Sequence, residues 1–414
     1  MKKLLILLIA AFYFTACVNK DEIPEKPEKA QAPITVWAYL VADTNIKSDI
    51  RNNIKTMYEG LSKLDQRATL LIYWDGGSSD TYLAASPCIV RYTTDGYGNI
   101  NGTAARDSSY SISVIAKEGD IVKEYDSQLS TDKNIMTSVL KDLMKLSPTN
   151  QIAMMAGSHG SAWTNSIMSR SSRSFGQDGN GTDNTITTSD MADAISAAGI
   201  KLDLLLFDAC MMGTVEVCYD FKDATNYMIV SALDVPAPGF PYQDFMSSLY
   251  KGNITGYSEI CQAYINYYAN YPGGWASVAL VDCMQMDNLA AQVKKQITTH
   301  KDIIYAYKPI NELQQYGLNP YVTGFKYISF DLRQFIEDIN EESLPSEFQS
   351  QLNKTILYSD CLEHTDNYTI EKSKFCGLGM YIPVSVRSAW NTYFKTIDWY
   401  KAAGWNEVSF EWDF

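Results

Sequence analysis

The chain has three histidines, His159, His300 and His364, and eight cysteines. One histidine and one cysteine stand where chemistry is done. His159 follows the apolar run 152–156 through Gly157-Ser158 and precedes Gly160, which places it at the carboxyl end of a predicted strand. Cys210 has the same setting: Leu204-Leu205-Leu206-Phe207 runs through Asp208-Ala209 into Cys210, and a helix is predicted over 211–221. Open α/β sheets bind ligands outside the carboxyl ends of their strands. Neighbouring strands lie about 5 Å apart, so side chains leaving adjacent ends can meet. A thiol at a helix N-terminus feels the positive end of the dipole, which favours thiolate. A nearby imidazole strengthens that bias and can later protonate a leaving amine. Taken singly, a cysteine among apolar residues is most often core filling, and a lone histidine a satisfied surface or core residue. Their arrival at two strand ends of one sheet favours a nucleophile and its proton shuttle.

Other chemistries fit less well. Gly157-Ser158-His159-Gly160 is not the Gly-x-Ser-x-Gly elbow of serine hydrolases. Three histidines are few for a metallohydrolase, and no pair of CxxC motifs suggests structural zinc. The net charge of −14 comes without a basic stripe, so nucleic acid is excluded as a partner.

The elements that must position the pair are those of an α/β protein. Strands are predicted over 34–42, 69–74, 151–156, 202–207, 227–232 and 277–281, alternating with amphipathic segments. Ile46, Ile50, Ile54, Met57 and Leu61 share one helical face, as do Ile135, Val139 and Leu143. Short apolar strands alternating with helices imply a mostly parallel sheet covered on both faces, a three-layer sandwich. Residues 90–125 read as an inserted hairpin, and 164–185 as a polar loop. Beyond 286 the order becomes mixed: a helix over 289–300, a segment at 327–335, the run 377–381 and a Trp-rich end, taken as a smaller C-terminal subdomain over 286–414. The tyrosines 264, 267, 268 and 271 with Trp275 are assigned to packing rather than to a sugar-stacking surface.

At the N-terminus, Lys2-Lys3, an apolar run from Leu4 and Phe14-Thr15-Ala16-Cys17 have the order of an export signal, too short for a comfortable span. A cysteine after small residues looks like a bacterial lipoprotein signal over 1–17, with Cys17 lipidated; the alternative is an ordinary cleaved signal whose cysteine is accidental. Residues 18–33, charged and proline-bearing, form a solvated tether. The expectation is an exported, membrane-anchored monomer of the cell envelope, on its periplasmic or surface face. Setting Cys17 aside, seven of the eight cysteines remain, an odd number that leaves a thiol for catalysis.

The sequence resembles the clostripain-like cysteine peptidases of the caspase and gingipain clan. The resemblance rests on Val36-Trp37-Ala38-Tyr39-Leu40-Val41-Ala42-Asp43-Thr44-Asn45, on His159-Gly160-Ser161-Ala162-Trp163, and on Leu202 to Met212 with Asp208-Ala209-Cys210. Val215-Glu216-Val217 and Phe240-Pro241-Tyr242 extend it, so that it spans about 34–285. It implies a caspase-like sandwich that hydrolyses peptide bonds in protein or peptide substrates through a Cys/His dyad and an acyl-enzyme. His159 and Cys210 match the dyad, and the backbone N–H groups of Gly160 and Cys210 match the oxyanion hole.

Relatives of known preference cut after Arg or Lys, using acids in the pocket. Asp208 matches one such acid, or else merely caps the next helix. Pro238 stands where a second acid is usual, and Asp234 lies close by as its substitute. A buried Arg needs paired charge, so basic preference and its loss both remain open. Many relatives are activated by cleavage between His and Cys, and Arg170 and Arg173 lie in the 164–185 loop, with Arg173 as the processing site. No cofactor is required. Some relatives depend on calcium, and Asp178, Asn180 and Asp183 offer oxygen ligands, although a solvated polar loop is the preferred reading. The rival function is a surface lipoprotein of the same fold that binds peptide or glycan without turnover.

Overall fold

The computed structural model describes residues 26–77, 86–101, 103–104, 119–164, 174–179, 184–306, 313–316, 329–341, 343–363, 365, 369–383 and 388–408. The signal segment with Cys17, the arginines 170 and 173, Asn180, Asp183 and His364 lie outside the described residues.

Five parallel strands form the centre. In spatial order they are β9 (Thr225–Val230), β8 (Leu202–Asp208), β7 (Gln151–Gly157), β1 (Ile34–Val41) and β2 (Ala68–Asp75). All eight residues of β1 and all eight of β2 are buried, as strands covered on both faces must be. Their side chains alternate between two cores. Trp37, Tyr39 and Val41 join one; Val36, Ala38 and Leu40 join the other.

Helices fill each side. α1 (Lys47–Ser62) buries Ile50, Ile54, Met57 and Leu61 on the Val36 face, as their spacing predicts, beside α5 (Tyr242–Leu249) and α6 (Ile254–Ala269). The opposite face is covered by α2 (Lys133–Leu146), α3 (Thr188–Ala197), α4 (Val215–Asp220) and α7 (Met286–Thr299). Asp132 caps α2 by accepting from the N–H groups of Asn134 and Ile135. The three-layer sandwich is thus present.

The outer strands run the other way. β3 (Cys88–Thr94) pairs antiparallel with β2, and β4 (Asn99–Ile100), β5 (Thr103–Ala104) and β6 (Asp120–Glu124) continue that edge, so the predicted hairpin insert widens the sheet. On the other side β10 (Ser277–Asp282) is antiparallel to β9, and β13 (Ile356–Cys361) is antiparallel to β10. The C-terminal portion therefore supplies an edge strand to the main sheet as well as a small one of its own, β11 (Gln315–Tyr316), β12 (Ser329–Asp331) and β14 (Gly379–Met380).

One expected element is shorter. The helix predicted over 211–221 begins only at Val215, where Thr214 caps it by accepting from Val217 N at 3.4 Å. Met211 has φ +59°, outside the helical region, and its N–H goes to Leu233 O at 3.0 Å, while Gly213 N goes to Ser231 O at 2.7 Å. Long-range bonds to the segment after β9 thus hold 211–213 as a loop.

Candidate active site

The parallel order reverses between β1 and β7. From β1 the chain moves to β2 on one side through α1; from β7 it moves to β8 on the other. Such a reversal opens a crevice at the carboxyl ends of the strands. Asn45, His159 and Cys210 follow β1, β7 and β8 into that end of the sheet.

The register brings the two predicted catalytic positions across from one another. Gly157 pairs with Asp208, the last residues of β7 and β8; two residues further on stand His159 and Cys210. The segments touch there. A Cβ on Gly160 would lie 2.6 Å from Cys210 O, 3.1 Å from Cys210 N and 3.0 Å from the Ala209 side chain, so only glycine permits the approach. Among the described residues no hydrogen bond uses the N–H of Gly160 or of Cys210.

The backbone around His159 is fixed on two sides. Its carbonyl accepts from Gly176 N at 2.9 Å, Ser161 N donates to Ser174 O at 3.1 Å, and the Ser158 hydroxyl donates to Val41 O at 2.8 Å. The imidazole Nε2 lies 2.7 Å from Asn45 Oδ1. Asn45 was visible in the sequence as part of the first motif; only the adjacency of β1 to β7 brings it to the ring.

Cys210 is half-buried, and its Sγ donates to Val235 O at 3.7 Å. Burial pushes the thiol up from its ordinary range, and the carboxylates of Asp234 and Asp208 push the same way. This overturns the expectation that a helix end favours the thiolate: α4 starts at Val215, and what surrounds the sulfur is acidic.

Asp208 is nearly enclosed. Its Oδ2 accepts from the Tyr242 hydroxyl at 2.7 Å, Asn53 Nδ2 at 3.1 Å and Phe240 N at 3.4 Å. Burial raises its carboxyl to about 6 despite the Tyr242 and Phe240 donors. Gly239, at φ +73°, passes so close that a Cβ there would sit 2.6 Å from Asp208 Oδ2. Asp234 is half-buried, and its carbonyl accepts from Trp275 Nε1 at 3.0 Å. Pro238, also half-buried, lies in the turn closed by Gly239 N on Pro236 O at 2.8 Å.

Aromatic rings hold that turn in place. The Tyr268 hydroxyl donates to Gly239 O at 2.6 Å, and Tyr264 stacks on Phe240 with ring centroids 4.2 Å apart. Tyr264 and Tyr268 are buried in this packing, whereas Tyr271 is exposed. The Tyr264 hydroxyl is buried with no hydrogen-bond partner among the described residues, and burial raises it well above its ordinary range.

Asp178 is bound inside: its Oδ2 accepts from Ser130 N at 2.5 Å, and burial beside Asp75 raises its carboxyl to about 6. Among the described residues no group of three or more His, Cys, Asp or Glu could hold a metal ion. All seven described cysteines are free thiols. No described helix is long and apolar enough to cross a membrane.

The model of the clostripain (peptidase C11) family matches residues 38–412. The chain belongs to that family and is a cysteine-type endopeptidase. No curated protein matches it. Among solved structures, a secreted C11 cysteine protease from Bacteroides thetaiotaomicron, bound to an irreversible peptide inhibitor, superposes with a TM-score of 0.69 at 22% identity, over 90% of this chain and 99% of the other. An inactive zymogen C11 protease from Parabacteroides distasonis gives 0.70 at 22% identity, over 91% and 99%. The secreted Bacteroides thetaiotaomicron protease iotapain gives 0.66 at 24% identity, over 91% and 99%. These likenesses confirm the caspase-like fold.

Proposed function

We propose that this peptidase cleaves through His159 and Cys210, by way of an acyl-enzyme, after Arg or Lys. The observation that carries the reading is the β7–β8 register, which sets positions 159 and 210 opposite each other with Gly160 against the Cys210 backbone. His159 takes the thiol proton as the sulfur attacks the scissile carbonyl. The N–H groups of Gly160 and Cys210, without other partners among the described residues, meet the developing oxyanion. The imidazolium then protonates the leaving amine, and water, deprotonated by the same ring, hydrolyses the thioester.

Asp208 and Asp234 form the acidic part of the pocket and face the cation of the residue before the cut. Asp208 remains buried at about 6, so it is largely charged at neutral pH, and a substrate cation compensates that charge. Self-cleavage after Arg173 completes the enzyme, and Cys17 tethers it to the envelope. If wild type and Cys210→Ala both stay one intact chain on storage, self-processing is wrong.

The test is a mixed peptide library incubated with mature protein, with and without a thiol alkylator, and with Cys210→Ala. Cleavage abolished by both, with Arg or Lys before each cut, is the expected result. Cleavage that survives Cys210→Ala overturns the mechanism. The rival reading, peptide binding without turnover, is favoured by the raised thiol alone and predicts capture of intact peptides in the same experiment.

A further inference from the structure

The geometry points to Asn45 as the residue that positions His159, fixing its tautomer so that Nδ1 is the nitrogen that takes the thiol proton. This rests on the reading of His159 and Cys210 given above.

Asn45 lies just past β1, on the strand next to β7 at the reversal of the sheet, so its side chain and that of His159 leave adjacent strand ends. The turn that carries it is closed by Thr44 N on Ala42 O at 2.8 Å and by Lys47 N on Thr44 O at 3.2 Å, which leads directly into α1. Its carboxamide oxygen receives two contacts, the Thr44 hydroxyl at 3.1 Å and His159 Nε2 at 2.7 Å. An oxygen that already accepts from a hydroxyl sets the amide's orientation, so Nε2 is the protonated nitrogen and Nδ1 keeps the lone pair. The backbone of His159 is held by Gly176, yet the ring could still turn about its own bonds. The Asn45 contact removes that freedom. It also makes the ring a better base, since an acceptor on Nε2–H stabilises the imidazolium formed during attack. A neutral amide achieves this without adding another negative charge beside a thiol that Asp234 and Asp208 already push up. Asn45 is exposed, so the residue has no packing role to confuse the test.

The experiment compares Asn45→Ala, Asn45→Asp and His159→Ala, measuring kcat and KM against pH on one fluorogenic peptide cleaved by the wild type, with thermal melting as a folding control. Asn45→Ala should lose about 10- to 100-fold in kcat, the usual cost of removing an orienting partner, with KM and melting temperature unchanged. Asn45→Asp restores the acceptor and should recover most of the rate while moving the acid limb of kcat/KM to higher pH, because a carboxylate stabilises the imidazolium and the ring must be neutral to take the thiol proton. A purely structural role would move neither the limb nor the rescue. Wild-type kcat and pH profile in Asn45→Ala, with His159→Ala inactive, would overturn the positioning role and leave the dyad standing. Wild-type activity in His159→Ala would overturn both.

Discussion

Asp208→Asn separates a carboxylate kept for function from one kept for stability. In the folded protein burial moves this carboxyl from 3.8 to about 6. The group binds its proton more tightly folded than unfolded, so it favours the fold below about 4, and that contribution is lost as pH rises through about 6. The gap corresponds to ~3 kcal/mol at pH 8, against the fold. Asparagine can keep the acceptor. All three donors, Tyr242, Asn53 and Phe240, meet the same oxygen, Oδ2, and a carboxamide oxygen placed there receives them all.

The expected outcome has two arms. In urea titrations across pH 4–8 the variant should lose its share of the decline in stability, gaining up to ~3 kcal/mol over wild type at pH 8 and nothing at pH 4. In peptide cleavage it should lose about 100-fold or more in kcat/KM for Arg substrates, since an Arg side chain left beside a neutral amide forfeits a buried charge partner worth about 2–5 kcal/mol. Stability up and activity down is the signature of a charge held for a substrate. A variant no more stable at pH 8 than wild type, or one that cleaves after Arg at the wild-type rate, would refute the assignment.

Further outcomes follow from neighbouring residues. Tyr264→Phe removes a buried hydroxyl that lacks a partner among the described residues and should stabilise the free enzyme by about 1 kcal/mol, read as a rise in the urea midpoint. Asp234→Asn removes the carboxylate that pushes hardest on the thiol, so Cys210 should be alkylated by iodoacetamide several-fold faster at pH 7.5; an unchanged rate would mean that burial alone sets the thiol. Glu216 is raised to about 7 by burial and accepts from Tyr381 N at 2.8 Å; Glu216→Gln should flatten the loss of stability between about pH 4.5 and 7 in the same titrations. Gly239→Ala places a Cβ on the Asp208 carboxylate at a positive φ and should cost about 2 kcal/mol or more by thermal melting.

What was legible in the sequence is what local pattern determines. Buried strands bounded by polar residues show as short apolar runs, so the six predicted strands fall within two residues of β1, β2, β7, β8, β9 and β10. The spacing of Ile50, Ile54, Met57 and Leu61 likewise fixes the inner face of α1. Strand direction is not local. Nothing in Ser277–Asp282 distinguishes an antiparallel partner from a parallel one, and β13 belongs to the main sheet only because β10 leaves an edge for it. The start of α4 escaped for the same reason: Met211 and Gly213 are drawn out of the helix by carbonyls of Leu233 and Ser231, about twenty residues away.

The site divides along the same line. His159 and Cys210 announce themselves because each ends an apolar strand, and their residue types carry chemistry without help. Their environment does not, because it is made by segments that only the sheet order brings near. Asn45 reaches His159 across 114 positions, and Tyr242 reaches Asp208 across 34. The sulfur is pushed up first by burial and then by Asp234, on the turn after β9, which is the opposite direction to that expected from a helix end. In the proposed mechanism a thiol that burial and neighbouring carboxylates push up gives its proton away during attack, to a base already oriented to receive it. In that mechanism the orientation of the base falls to the β1–β7 crevice, where the reversal of the sheet sets Asn45 beside the ring.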